Sequence, residues 1–576
     1  MHHTPYNGLE RKLVLAFDIG TSDSSVSFAS LDPGKVPQIK SVTRYFDNPG
    51  IGSAWTSSTL YYDRKGNFRG VENGTGLQDD ESLIQMRWKL MLELGGPAPA
   101  PRDCMSRDLP MGKTIVDLFS DFMRYLFDST KSFFVAIESN GEFLWNSATD
   151  NIELVLTHPS GWGGPQRDQL RTAAVRANII PDTPEGHARI HFLTEGEAKF
   201  SFCATQTQVG ETLKFDDRVI VIDAGNQTID INFYRVTNNT PLRIEELLQP
   251  KWGRLSYSES KGYGNWQKSR FNTSEDIAAF AQKFDEGLKY IFSDDNQTNY
   301  VRFGSPRDND PRIGVKGGRK AVSGFFEPSI QSTVDCIGEN FTENLPMNSF
   351  AFLIGEFASS PWLAHELNRR LSNLGLKVIR PEFGTGILGR AVAIGAVSSY
   401  IDQFTKGRIA RFTYGTASST FYKPTNPEHI KRKHKTFIDE LGHTCVPDGY
   451  VTMLSKGTWI LETQELRKKL RVVREGGPGG SGALVRIIKY DGKEREPKWM
   501  DIEPDKFETL CQVVADISAV PPSSILGSSG AMRYHYEFDM VLFMGLPEMR
   551  AQIRWVDYST GEEKSVEAEI VYEDVS

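Results

Sequence analysis

Two short segments of this sequence share one design: Asp18-Ile-Gly-Thr-Ser-Asp23 and Asp223-Ala-Gly-Asn-Gln-Thr228. Each closes an apolar run, Leu13–Ile19 and Val219–Asp223, which predicts a buried strand carrying a carboxylate at its end and a glycine in the turn. A second strand follows each turn, Val26–Ala29 and Ile229–Val236, so both segments read as tight hairpins. Glycine lets backbone N–H groups approach phosphate oxygens closely, and a carboxylate there can keep Mg²⁺ beside a phosphate chain through its water shell. Thr21, Ser22 and Thr228 supply hydroxyls for the same oxygens. A single Asp-x-Gly turn is an ordinary strand end, whereas a pair of one design points to a phosphate held between them.

A third element is Phe352-Leu-Ile-Gly355-Glu-Phe-Ala-Ser-Ser-Pro361: strand, glycine turn and helix start, where a base or ribose can lie against backbone. Hairpin, hairpin and glycine turn, in this order and spacing, resemble the actin-like ATPase superfamily. Within it the chain is most similar to the seventy-kilodalton heat-shock chaperones, especially their atypical branch common in filamentous fungi. Leu156-Thr-His-Pro159-Ser-Gly-Trp resembles the family's Val-Pro-Ala-Tyr-Phe segment, followed in both by a Gln-Arg helix (Gln166-Arg167). Thr194-Glu195-Gly-Glu-Ala resembles its Asn-Glu-Pro-Thr-Ala, and Phe284-Asp-Glu286-Gly-Leu-Lys289 its ribose- and adenine-contacting helix.

The resemblance spans roughly residues 13–405 and implies an α/β fold of two lobes. These are 13–220 and 221–405, behind a tail at 1–12, with the closing helices of the second lobe returning to the first. It implies ATP and Mg²⁺ as cofactors. Asp18 and Asp223 then match the aspartates around the metal, Lys89 the lysine that orients the attacking water, Glu195 the glutamate near the metal, and Thr228 the γ-phosphate threonine. Gly20, Thr21, Ser22, Gly225, Asn226 and Gln227 would line the phosphates. Glu286 and Lys289 would meet ribose and adenine, and Gly355, Glu356, Phe357 and Ser359 would hold the adenosine. From residue type alone, Lys89 can equally be a solvated surface lysine, and Glu286 with Lys289 an ordinary i,i+3 ion pair on a helix.

Four departures alter the chemistry. Gly225-Asn226-Gln227 stands where the family has three successive glycines, Asp23 brings a negative charge to the first turn, Glu356 replaces a glycine, and Ser359 replaces an arginine that stacks on adenine. Side chains where backbone must meet phosphate predict poor γ-phosphate positioning and slow hydrolysis. The expectation is an ATP-binding, chaperone-like protein whose slow, Mg-dependent hydrolysis couples to client or partner binding, with co-chaperones among its partners. The alternatives are a nucleotide-binding pseudo-ATPase adaptor or a small-molecule kinase of the same fold.

The rest of the chain must position these groups. With 39% hydrophobic and 24% charged residues among 576, the composition is that of a folded globular chain of roughly four domain-sized units. Acidic groups outnumber basic ones, 74 to 66, which disfavours a nucleic-acid partner. No apolar run reaches membrane-spanning length, and the five scattered cysteines suit a reducing, cytoplasmic setting. Helical spacing marks Thr114–Phe127, Gln166–Ala177 and Ser274–Phe292; Glu153–Thr157 reads as a strand.

After Gly407 the pattern changes to short β-rich runs: Ile409–Tyr414, Leu484–Tyr490, Tyr534–Phe543 and Arg550–Val556. A smaller antiparallel β-rich domain at 408–576 is expected. Val556-Asp-Tyr-Ser-Thr-Gly resembles a turn of the chaperone peptide-binding β-sandwich, without an apolar linker before Arg408 or a helical lid. Gly477–Gly482 fits a Gly-x-Gly-x-x-Gly pattern but precedes a strand, which excludes a Rossmann turn. His429, His434, His443 and Cys445 lack the tight pairing of a zinc site, and Lys431–Lys435 reads as a solvated helix face.

Overall fold

In a computed structural model the chain is mixed α/β, built on several sheets. The structure describes residues 3–572 without 47–54, 73–82, 87, 90–108, 208, 226–227, 255–286, 288, 294–318, 341–348, 382–386, 440, 462–463, 476–481, 527–531, 545–548 and 558–559. The chain divides into two compact units, 1–161 with 170–405, and 162–169 with 406–576.

In the first unit, β1 (Lys12–Ile19) and β2 (Asp23–Leu31) form an antiparallel hairpin that sets Asp18 opposite Ser25. On the other side of β1 lies β3 (Ile152–His158), parallel to it, and then β4 (Ile190–Thr194). The unbroken apolar runs of β1 and β3 follow from this central place, since a parallel strand covered on both faces has no solvent side to alternate toward. Helix α1 (Ile115–Ile137) is started by a Thr114–Asp117 capping box and lays Phe134 on Phe28, ring centroids 5.5 Å apart.

A second sheet repeats the scheme. The hairpin is β5 (Arg218–Ala224) with β6 (Thr228–Asn239); β7 (Leu242–Arg254) is antiparallel on the outer side of β6. β8 (Ser349–Ile354) lies parallel to β5, and β9 (Leu376–Ile379) parallel to β8. In the first sheet the short strand Lys40–Ser41 takes the place of β7. Both sheets therefore contain, in the same order, an antiparallel strand, the hairpin, and two parallel strands reached through helices.

The helices that follow each sheet are exchanged. α2 (Glu195–Gln206) follows β4, yet Phe200, Phe202, Cys203 and Ala204 share a core with Val219, Val221 and Tyr234 of the second sheet. α3 (Arg319–Asn340) lies against α4 (Pro361–Ser372), β6 and β7, and α4 packs beside β9, filling a core with Phe326, Ile330, Leu363 and Leu367. α5 (Ala391–Asp402) follows β9, yet Val392, Ala396 and Val397 share a core with Val14, Ala16 and Val155 of the first sheet. α2 and α5 pack on each other, and Gly395 permits it: a Cβ there would stand 1.8 Å from the Ala198 carbonyl oxygen.

α3 was not legible in the sequence, because Pro328 sits inside it, where a helix normally stops. Of the helix expected over Ser274–Phe292, most lies outside the described residues; Lys289–Ile291 is helical.

The second unit contains β10 (Thr413–Phe421), β11 (Thr444–Leu454), β12 (Glu465–Glu475), β13 (Gly482–Tyr490), β14 (Phe507–Asp516), β15 (Met532–Phe543), β16 (Arg550–Val556) and β17 (Glu563–Tyr572). They pair antiparallel in the order β11-β10-β13-β14-β17-β16-β15-β12. Ala515, Tyr536, Phe538, Ile553 and Trp555 share one core cluster. The run Ile409–Tyr414 is not one strand: it breaks where the Ala410 N–H turns to donate to Thr458 O at 2.9 Å. Among the described residues, no helix is long and apolar enough to cross a membrane.

Candidate functional site

Asp18, Thr157, Asp223 and Gly355 all lie at the carboxyl ends of the central strands, the end at which open α/β sheets bind ligands. The first turn is tight: the Gly20 N–H donates to Ser24 Oγ at 3.1 Å, and a Cβ on Gly20 would stand 2.0 Å from the Asp23 carbonyl oxygen. Ser24 Oγ lies 2.7 Å from Ser58 Oγ, tying the turn to the neighbouring chain, while Thr21 and Ser22 are exposed at its tip. In the second turn the Gly225 N–H donates to Thr228 O at 2.9 Å, and Thr228 Oγ1 donates to Asp230 Oδ2 at 3.3 Å. Asn226, Gln227 and Glu286 lie outside the described residues.

Gly355 has φ +105°, and a Cβ there would stand 2.4 Å from Ala224 O and 2.7 Å from Asp223 Oδ1. Both the backbone angle and the space demand glycine.

Lys89 is buried, and its Nζ donates to Glu195 Oε1 at 3.0 Å. Burial and that partner remove the surface-lysine alternative. Its neighbour Trp88 anchors it: the indole donates to Ser58 O at 2.9 Å, and the ring meets Phe119 edge-on with centroids 4.2 Å apart. Glu195 opens α2, whose start is fixed by the Thr194–Glu197 capping box. One turn later on the same face comes Lys199, which donates to Asp223 Oδ2. Asp18 accepts from Thr157 Oγ1 at 3.2 Å.

The electrostatics follow from enclosure. Burial first, then Glu195, pushes the Asp18 carboxyl up to about 7 against the pull of Lys89 and Lys199. Asp230 is likewise pushed up to about 7, by burial and then by Asp223 and Glu195. Burial opposes charge on Glu195 and Lys199 too, but Lys89 holds Glu195 below the usual carboxylate range, and Asp223 holds Lys199 above the usual lysine value. Burial also pushes the Asp223 carboxyl up, against the pull of Lys199, so that near neutral pH the cluster holds the Lys199 ammonium and the Glu195 carboxylate firmly while Asp18 and Asp230 are poised between states.

A raised carboxyl pKa favours the protonated form in the fold. That contribution to stability is full below about pH 4, the ordinary aspartate value, and is lost as pH rises through about 7. Asp18→Asn should therefore raise the melting temperature clearly at pH 8 and change it little at pH 4. An equal effect at both pH values would show that Asp18 is not held protonated by its surroundings.

Beside the Gly355 turn, Glu356 faces the rim of the first turn: loss of water and then the Glu356 charge push Asp23 up to about 6. Tyr290 donates its hydroxyl to Glu356, and Ser359 donates back to Glu356 O at 2.6 Å. Phe357 and Lys289 are placed differently. Phe357 is buried and stacked on Phe326 at 5.7 Å, and the fully buried Lys289 places Nζ 4.7 Å from the Phe357 ring centre. They brace the turn from beneath.

The structure thus brings together Asp18, Lys89, Glu195, Asp223 and Gly355, with Thr228 reaching the group through Asp230. Sequence reasoning missed Lys199, Asp230, Thr157 and Trp88. A lysine four residues after Glu195, on a helix otherwise filled with Ala198, Phe200, Phe202 and Cys203, was the available signal.

A magnesium ion does not fit Asp223 as expected. Its Oδ2 accepts from Lys199, and among the described residues no three Asp, Glu, His or Cys groups are arranged to hold a metal ion.

In the second unit, His429 accepts the Lys423 N–H at 3.0 Å and lies edge-on to Trp499. The Lys431–Lys435 run is largely paired: Arg432 binds Asp501 at 2.7 Å and Glu428 at 2.8 Å, and Lys435 reaches Asp448 and Asp501.

No family model matches this chain, and no curated protein matches it.

Proposed function

We propose that the first unit is an actin-like nucleotide-binding module, two lobes that hold an adenine nucleotide, with slow turnover. One observation carries this: a repeated sheet connectivity sets two carboxylate-ended glycine hairpins, Asp18 and Asp223, around one buried group with two lysines. The glycine turns leave room for phosphate against backbone, and Lys89 and Lys199 supply positive charge inside the protein, where it acts more strongly than in water. Lys89, fixed by Glu195 and Trp88, is the group placed to orient an attacking water. The second unit would hold a client or partner protein, in a chaperone-like division of labour.

Lys199 also favours the alternative of a pseudo-ATPase adaptor. It occupies Asp223, the carboxylate the family resemblance assigned to the metal, and so works against efficient hydrolysis.

Calorimetry with millimolar ATP and Mg²⁺ tests the binding half. Only the folded form can bind, and ligand at a hundred times its Kd stabilises by about 2.7 kcal/mol. No shift would remove the nucleotide proposal. For the catalytic half, Lys89→Ala should keep most of the ATP-induced shift and lower turnover at least tenfold, as expected for an interaction strongest in the transition state. A rate equal to wild type would return Lys89 to a purely structural role. No measurable turnover in wild type would select the adaptor.

A further inference from the structure

We propose that Lys199 is a resident cation standing in for a divalent metal, so that this site binds nucleotide phosphates without magnesium. The proposal rests on the nucleotide-binding function above and adds the identity of the charge that meets the phosphates.

Lys199 is placed as a bound cation would be. It sits between the two hairpins' carboxylates: paired to Asp223, within reach of the Glu195 charge, and acting on Asp18. It is 8% exposed and is delivered by α2, a helix whose start is capped and whose other side chains are almost all buried. An ammonium on such a helix is a compact, fixed point charge, and lysine is a general phosphate binder of that kind.

The carboxylate that would share a metal's water shell is meanwhile engaged: the buried Asp223 accepts from Lys199 through Oδ2. A magnesium ion at this strand end would have to displace a buried ammonium from its partner and take its place beside the same carboxylate. Two cations cannot share that room without a large repulsive cost at low dielectric.

The test is ATP binding to the full chain, followed by calorimetry and by thermal shift, in excess EDTA and in excess Mg²⁺. Wild type should bind ATP in EDTA within about threefold of its affinity in Mg²⁺. Lys199→Met should bind ATP at least tenfold more weakly in EDTA and recover when Mg²⁺ is added, because Asp223 is then free. Should that variant fail to fold, Lys199→Met/Asp223→Asn removes the pair together and should lose ATP affinity at least tenfold in both buffers. Wild-type binding that needs Mg²⁺ would overturn the proposal and leave the nucleotide function standing. Binding in EDTA unchanged in either variant would also overturn it, and no binding of ATP in either buffer would overturn both. A merely structural lysine would move stability but not the metal dependence of binding.

Discussion

Lys199→Met is expected to destabilise the first unit by about 3–5 kcal/mol, because it strands the Asp223 carboxylate inside the protein. The cost comes mainly from the unpaired charge. Burial already disfavours the Asp223 charge, and Asp230 and Glu195, whose charges act across the same group, add repulsion. Removing both partners, as in Lys199→Met/Asp223→Leu, should therefore be milder than the single change. Leucine and methionine leave no charge to solvate, and such replacements of buried ion pairs are often close to neutral. Urea unfolding of wild type, the two single variants and the double variant gives the coupling directly. A double variant as unstable as the sum of the singles would mean that Lys199 and Asp223 are stabilised by other neighbours rather than by each other.

Two alanine substitutions should move stability in opposite directions. At Gly395 the new methyl would stand 1.8 Å from Ala198 O and 2.7 Å from its carbonyl carbon, both backbone atoms of the facing helix. Nothing there can rotate away, so α5 must lift off α2, disturbing the Val392, Ala396 and Val397 packing as well. Overpacking of this kind costs about 1–3 kcal/mol, and more where only backbone can yield. At Gly338, inside α3, a Cβ meets nothing within 4 Å. There the helix gains alanine's better propensity, about 1 kcal/mol. Thermal unfolding of the two variants should show a fall for Gly395→Ala and a rise for Gly338→Ala. A neutral Gly395→Ala would mean that α2 and α5 are not in close contact.

The hairpins and their terminal aspartates were readable because strand, glycine and charge are contiguous in the chain. Lys89 was readable only as a candidate, since its burial depends on Glu195 and Ser58, distant in sequence. Lys199 was hidden for a different reason: a helical lysine is ordinarily a surface residue, and its partner is reached only when α2 packs beneath β5. Phe357 and Lys289 show the converse. Their neighbours in sequence line the candidate adenosine turn, but Phe326 of α3 draws the Phe357 ring inward and Lys289 follows. Beyond the two Asp-x-Gly hairpins, the matching connectivity of the two sheets leaves no repeat in the sequence, because the rest of it lies in hydrogen-bond order and not in side chains.

The exchange of α2 and α5 bears on how a ribosome-bound chain could acquire this structure. When β1 to β4 have emerged, the face of β1 and β3 that needs Val392, Ala396 and Val397 has no cover, for those residues are synthesised some two hundred positions later. α2, already made, has its own apolar side waiting for β5 and β6. The first half thus cannot close as an independent vectorial unit, and its open strands are exposed to self-association throughout translation. Pulse-labelled nascent chains arrested near residue 240 should remain protease-sensitive, and protection should appear in one step once α5 has cleared the exit tunnel.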